Sequence, residues 1–150
     1  MNRQGIIELL SLTRPALHAM HQPWCLIGSA ALMIAGADVP DCPDLDILTT
    51  GAGADFLERS WSEQRFRRYR LNTDSPFLSQ LSRYSFSLGA VEVMGDLTLN
   101  GVPVTVQEIV AAPFGSMKVP IPTLAEQARL LRLFGRPKDL ARLGLLARLQ

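Results

Sequence analysis

The 150-residue chain carries 15 Lys and Arg against 14 Asp and Glu, a formal net charge of +1. Such a balance excludes a global electrostatic pull toward nucleic acid or an anionic membrane. Its content, 47% hydrophobic and 19% charged, excludes a disordered chain, and the length suits one domain with a real core. Cys25 and Cys42 are too few for a disulfide framework or a cysteine zinc site. The start lacks the charged-then-apolar layout of a secretion signal, and the longest apolar run, 24–36, is too short to span a bilayer. The expectation is a cytoplasmic protein with reduced thiols and no membrane partner.

Ile6, Ile7, Leu9, Leu10 and Leu12 recur at helical spacing, and Thr13-Arg14-Pro15 reads as a restart with Thr13 as cap. Two helices are therefore expected within 1–22, with His18 and His21 at solvated or half-buried positions. Pro23 ends the pattern. Trp24-Cys25-Leu26-Ile27 is short and apolar enough for a buried strand, and Gly28-Ser29 breaks it, Ser29 capping a small-residue helix over 30–35. The next strand is Leu45-Asp46-Ile47-Leu48. A period of two sets Asp44 and Asp46 on one face and Leu45 and Ile47 on the other.

A helix follows over 54–62, with Phe56, Leu57 and Trp61 on one face. The basic run Arg65-Phe66-Arg67-Arg68-Tyr69-Arg70 reads as an exposed strand, and turn formers over 72–80 suggest a loop with a short helical turn. Strands are expected over 84–88 and 90–94, turning at Gly89. Gly95-Asp96 then turns into 97–99. Asn100-Gly101 is a strong hairpin signal into 102–106, where Pro103 suggests an edge. Residues 117–121 look extended. From Thr123 a helix carries Leu124, Ala128, Leu131 and Phe134 to a stop at Gly135. Pro137 opens the last helix, striped by Leu140, Leu143, Leu146 and Leu149. The order implies a single α+β domain over 1–150 with helices packed around one sheet: N-terminal helices over 1–22, the sheet over 24–118, and a C-terminal helix pair over 123–149.

Residues two apart on a strand stand roughly 6.5–7 Å from each other, so Asp44 and Asp46 can converge on divalent ions about 3.5–4 Å apart. Glu92, between Val91 and Val93, would join them if its strand pairs alongside in phase. Three acids together repel and raise a pKa; Mg²⁺ relieves this and favours carboxylates plus phosphate oxygens. Gly28 and Ser29 would offer a backbone N–H and a hydroxyl to the phosphates of a nucleoside triphosphate. Arg65 and Arg68, interleaved with aromatics, are candidate contacts for a polyanionic acceptor. The plainer readings are an exposed edge or Asx turn for the aspartates, a half-buried meander for Glu92, a turn for Asp96 and a solvated strand for the arginines.

Gly28-Ser29, a short helix and Asp44-Leu45-Asp46 together resemble the Gly-[Gly/Ser]…Asp-x-Asp signature of the DNA polymerase β-like nucleotidyltransferases. The run from Trp24 to Leu32 is similar to the small bacterial members, including toxins of toxin–antitoxin systems, and Arg136-Pro137-Lys138-Asp139 is similar to their Arg-x-Lys-Asp segment. The resemblance implies transfer of a nucleoside monophosphate from NTP to an acceptor, with Mg²⁺ as cofactor and pyrophosphate released. It implies Asp44, Asp46 and Glu92 as catalytic metal ligands, and Gly28, Ser29 and Lys138 as nucleotide contacts. Asp139 would orient Lys138 or fasten the C-terminal helices. The resemblance also implies a small mixed sheet, with 24–118 as its catalytic core. The acceptor is left open between RNA, protein and small molecule, and so is a partner protein. The alternatives are a nucleotidyltransferase-like protein that binds nucleotide, nucleic acid or a partner without efficient chemistry, and an interaction domain using 65–70 on nucleic acid.

Overall fold

The structure, a computed structural model, describes residues 1–68 and 75–149; Tyr69, Arg70 and the start of the expected 72–80 loop lie outside the described residues. Its first element is one continuous helix, α1 (Arg3–Ala19), in place of the expected pair. Pro15 lacks only the N–H that would reach back to Ser11, and Ser11 lies on the exposed side of the helix. Thr13 does not cap. It is buried, and its hydroxyl donates to the Leu9 carbonyl at 3.1 Å. Ile6, Leu9, Leu10 and Leu17 form the buried stripe that holds the helix together across the proline.

Strand β1 (Trp24–Ile27), helix α2 (Gly28–Ile34) and strand β2 (Asp44–Thr49) follow as expected. Helix α3 (Gly51–Ser60) starts earlier than its apolar pattern, because the Thr50 hydroxyl accepts from the Gly53 N–H at 3.0 Å and caps it. Strand β3 (Arg65–Arg68) precedes two long strands, β4 (Phe77–Phe86) and β5 (Gly89–Leu99). The sequence suggested a loop through residue 80. Phe77 and Leu78 instead pair with Leu99 and Thr98, so cross-strand pairing overrides the local turn preference. Gly95-Asp96 is likewise not a turn. Leu78 pairs with Thr98 but Gln80 with Gly95, so the ladder shifts by one residue; Asp96 sits there at φ +50° as a bulge inside β5.

Asn100 and Gly101 do form the tight hairpin, at φ +51° and +78°, into β6 (Val102–Pro103). That strand stops at Pro103 rather than 106; Val104 and Val106 turn their side chains onto an apolar cluster with Leu97 and Leu130. A separate hairpin, β7 (Ile109–Phe114) and β8 (Met117–Pro122), precedes α4 (Leu124–Phe134) and α5 (Pro137–Ala147). Gly135 ends α4 in the left-handed conformation at φ +65°. Leu140 falls outside the apolar stripe at 52% exposure, while Leu146 is buried. Each step of three residues turns a helix face by about 60°, so Leu146, two steps on, points about 120° away from Leu140.

The main sheet runs β1-β2-β5-β4-β3, with β2 and β5 parallel and the other neighbours antiparallel. One face carries Leu45, Ile47, Val91, Val93 and Tyr84, packed with Ile6 and Leu9 of α1 and Leu57 of α3. Trp61 closes this core, edge-on to Tyr84 and Phe86 at 5.2 and 5.4 Å. The alternate residues Asp44, Asp46, Glu92 and Met94 face the other way, where Leu130 of α4 packs with Ile27 and Leu48. Among the described residues no helix is long and apolar enough to cross a membrane.

Candidate metal and nucleotide site

Parallel pairing of β2 with β5 sets Asp46 directly beside Glu92, in the same phase and on the same face. Asp44 lies two residues earlier on that face. One carboxylate oxygen from each of the three acids lies within 4.8 Å of the others. On the opposite flank β1 runs antiparallel to β2 with Ile27 facing Asp46, so the chain leaves β1 next to the acids. Gly28 makes that exit at φ +70°, and a Cβ there would meet Oδ2 of Asp46 at 2.6 Å. Only glycine satisfies both the backbone angle and the approach.

Ser29 does not cap α2, whose N-cap is Ile27 without a side-chain bond. Its buried hydroxyl accepts from Nη2 of Arg142 at 2.8 Å, a link from α5 back to α2. Arg142 and Lys138 occupy successive turns of α5 and both line the cavity beside the acids. Asp139, between them in sequence, is buried. It accepts from Nε of Arg136 at 2.6 Å and from Nη2 at 3.2 Å, and closes a capping box on the Arg136 N–H. These bonds cap the first turn of α5.

The acids are partly neutralised from within. Arg83 of β4 stands opposite Glu92, its Nη2 donating to Oδ2 of Asp44 at 3.1 Å and its Nε lying 3.4 Å from Oε2 of Glu92. Burial, and then the charges of Asp44 and Glu92, push the Asp46 carboxyl well above the ordinary carboxylate range, against the pull of Arg142 and Lys138. Burial also raises Glu92, with Arg83 opposing. A half-buried group of three converging carboxylates fits a hard divalent cation, which takes oxygen ligands of this kind.

The cavity around this group measures about 620 Å³. Gly28, Ser29, the three acids and Lys138 line its polar part, and Phe77, Leu81, Met94 and Phe134 its apolar part. Arg65 is paired with Glu58 at 2.5 Å and does not line the cavity. Arg68 pairs through its backbone with Ser82, and its side chain lies outside the described residues. Two cationic lining residues, Arg83 and Arg142, stand outside the sequence motifs. Arg83 had a signal, since a hairpin closing between Phe86 and Gly89 sets it against Glu92. Arg142 had only its spacing of one helical turn from Lys138.

No protein-family model matches the chain, and no curated protein matches it in sequence. Solved structures do resemble it. TM1012 of Thermotoga maritima, assigned as a nucleotidyltransferase, superposes with a TM-score of 0.78 at 22% identity, covering 100% of this chain and 97% of that one. The antibiotic-resistance factor ANT(2'')-Ia gives 0.67 at 10% identity over 98% of this chain and 85% of its own. The lincosamide antibiotic adenylyltransferase LnuA, solved with lincomycin bound, gives 0.63 at 11% identity over 100% and 99%. Over its full length, the chain has the nucleotidyltransferase fold.

Proposed function

We propose that the protein is a divalent-metal-dependent nucleotidyltransferase that moves a nucleoside monophosphate from NTP to an acceptor hydroxyl. The observation that carries this reading is the convergence of Asp44, Asp46 and Glu92 beside the Gly28–Ser29 turn, on this fold. Asp44, Asp46 and Glu92 would hold Mg²⁺, which when bound supplies positive charge for the phosphate oxygens and lowers the pKa of an acceptor hydroxyl. Gly28, Ser29 and Lys138 bind the phosphate chain. The acceptor oxygen forms a bond to the α-phosphorus as the bond to the bridging oxygen breaks, and pyrophosphate leaves. The acceptor proton passes to a carboxylate of the group. Residues 1–150 act as one unit in a cytoplasmic protein, and the acceptor is RNA, protein or a small molecule, with a partner protein as a further element.

A second reading is favoured by Arg83, whose guanidinium already bridges Asp44 and Glu92. On that reading the cavity binds nucleotide without transfer. Incubation with Mg²⁺ and each α-labelled NTP separates the two. Transfer of label with stoichiometric pyrophosphate, lost in Asp46→Asn, is the expected result; nucleotide binding with no pyrophosphate under any NTP and acceptor pool would leave the second reading standing.

A further inference from the structure

Resting on that reading, we propose that Arg142 is a triphosphate-binding residue, which with Lys138 grips the donor's phosphate chain from α5 above the Ser29 hydroxyl. The segment between α2 and β2 brings Asp38 and Asp41 and neither Lys nor Arg, so the cations facing the acids must come from elsewhere. Among the described residues four cationic side chains line the cavity, Arg83, Arg136, Lys138 and Arg142. Arg83 is engaged with Asp44 and Glu92. Arg136 is engaged with Asp139 through two nitrogens, and its guanidinium also lies 4.8 Å from the Phe77 ring centre. Lys138 and Arg142 remain, and their charges both act on Asp46.

Arg142 is placed for the task. It donates one hydrogen bond, to Ser29, and sits at the longer distance of 3.9 Å from Asp139. A guanidinium has five N–H donors in a planar fork suited to phosphate oxygens, so most remain available. The side chain is 24% exposed, which keeps its charge at the cavity wall where screening by water is reduced. Ser29 accepts from Arg142, which leaves its own O–H to donate to the same ligand. Lys138 and Arg142 are four residues apart and share one face of α5, about 6 Å apart along the axis. That separation suits a polyphosphate chain better than a single phosphate.

The plainer role, a tie between α5 and α2, predicts a different pattern, and calorimetry in Mg²⁺ distinguishes them. The ligands are a non-hydrolysable NTP, inorganic tripolyphosphate and the matching nucleoside monophosphate; the proteins are wild type, Arg142→Gln and Arg142→Lys. For a lost charge-assisted contact, Arg142→Gln should bind NTP and tripolyphosphate about tenfold more weakly. Monophosphate binding should change much less, Arg142→Lys should recover part of the loss, and melting temperature should hold. Wild-type affinity for tripolyphosphate in Arg142→Gln overturns the assignment, as does an equal weakening of all three ligands or a failure of lysine to rescue. If the wild type itself binds none of the three, the nucleotidyltransferase reading fails and takes this one with it.

Discussion

Gly28 and Asp46 approach so closely that a methyl group on the glycine would lie 2.6 Å from the carboxylate oxygen Oδ2. The same glycine holds φ at +70°, where a side chain is strained by about 1–2 kcal/mol. Gly28→Ala should therefore lower stability by about 2 kcal/mol and push Asp46 out of line with Glu92. Urea unfolding with and without Mg²⁺ checks both parts. A variant as stable as wild type, with an equal gain from Mg²⁺, would contradict the packing described.

Arg83 holds a positive charge between two of the acids that the metal would use. Arg83→Met removes this tethered competitor. The metal-free protein should lose on the order of 1 kcal/mol, the bridge being partly solvated, while divalent-ion affinity rises. Direct Mn²⁺ titration followed by electron paramagnetic resonance reads the second effect without reference to activity. Weaker Mn²⁺ binding in the variant would mean that Arg83 orients the acids more than it competes at them.

Glu126 of α4 is nearly buried at 5% exposure. The hydrogen bond from Arg129, aided by the backbone N–H of Gln107, holds its carboxyl down to about 2 from an ordinary 4.5. Between those values the unfolded chain binds the proton and the native protein does not. Its stabilising contribution is thus complete above pH 4.5 and is lost as pH falls toward about 2. Glu126→Gln should be less stable at neutral pH and show a shallower loss across the acid window, measured by urea unfolding at a series of pH values. An unchanged acid slope would place the pH dependence in other carboxylates.

Burial lifts the Cys25 thiol to about 12 and the Cys42 thiol to about 11. Cys42 also donates to the Asp44 carbonyl at 3.4 Å, directly ahead of the first acid. Neither thiol should be alkylated by iodoacetamide in the native protein at mildly alkaline pH, and both should react in denaturant. Rapid native labelling of Cys42 would show that the loop before β2 opens.

Local rules reached the elements whose causes are local. An apolar tetrad before a glycine made β1, alternation made β2, Asn100-Gly101 made its hairpin, and Thr123 and Gly135 bounded α4. They failed where a distant partner outvoted the local preference, as at Phe77, which pairs with Leu99 and meets Phe134 edge-on at 5.4 Å. They failed again at Pro15, which the buried stripe of α1 carries through.

The sequence by itself determined that Asp44 and Asp46 share a face and that a glycine turn precedes them by a short helix. Only the tertiary structure decided that Glu92 stands beside Asp46, that Arg83 bridges the acids, and that Arg142 reaches Ser29 across 113 positions of chain. The reason is register. Burying Leu45 and Ile47 together with Val91 and Val93 aligns β2 with β5, and a slip of one residue would drive the acids into the core. Side-chain spacing along one strand follows from covalent geometry, but the phase between two strands follows from what the folded chain can bury.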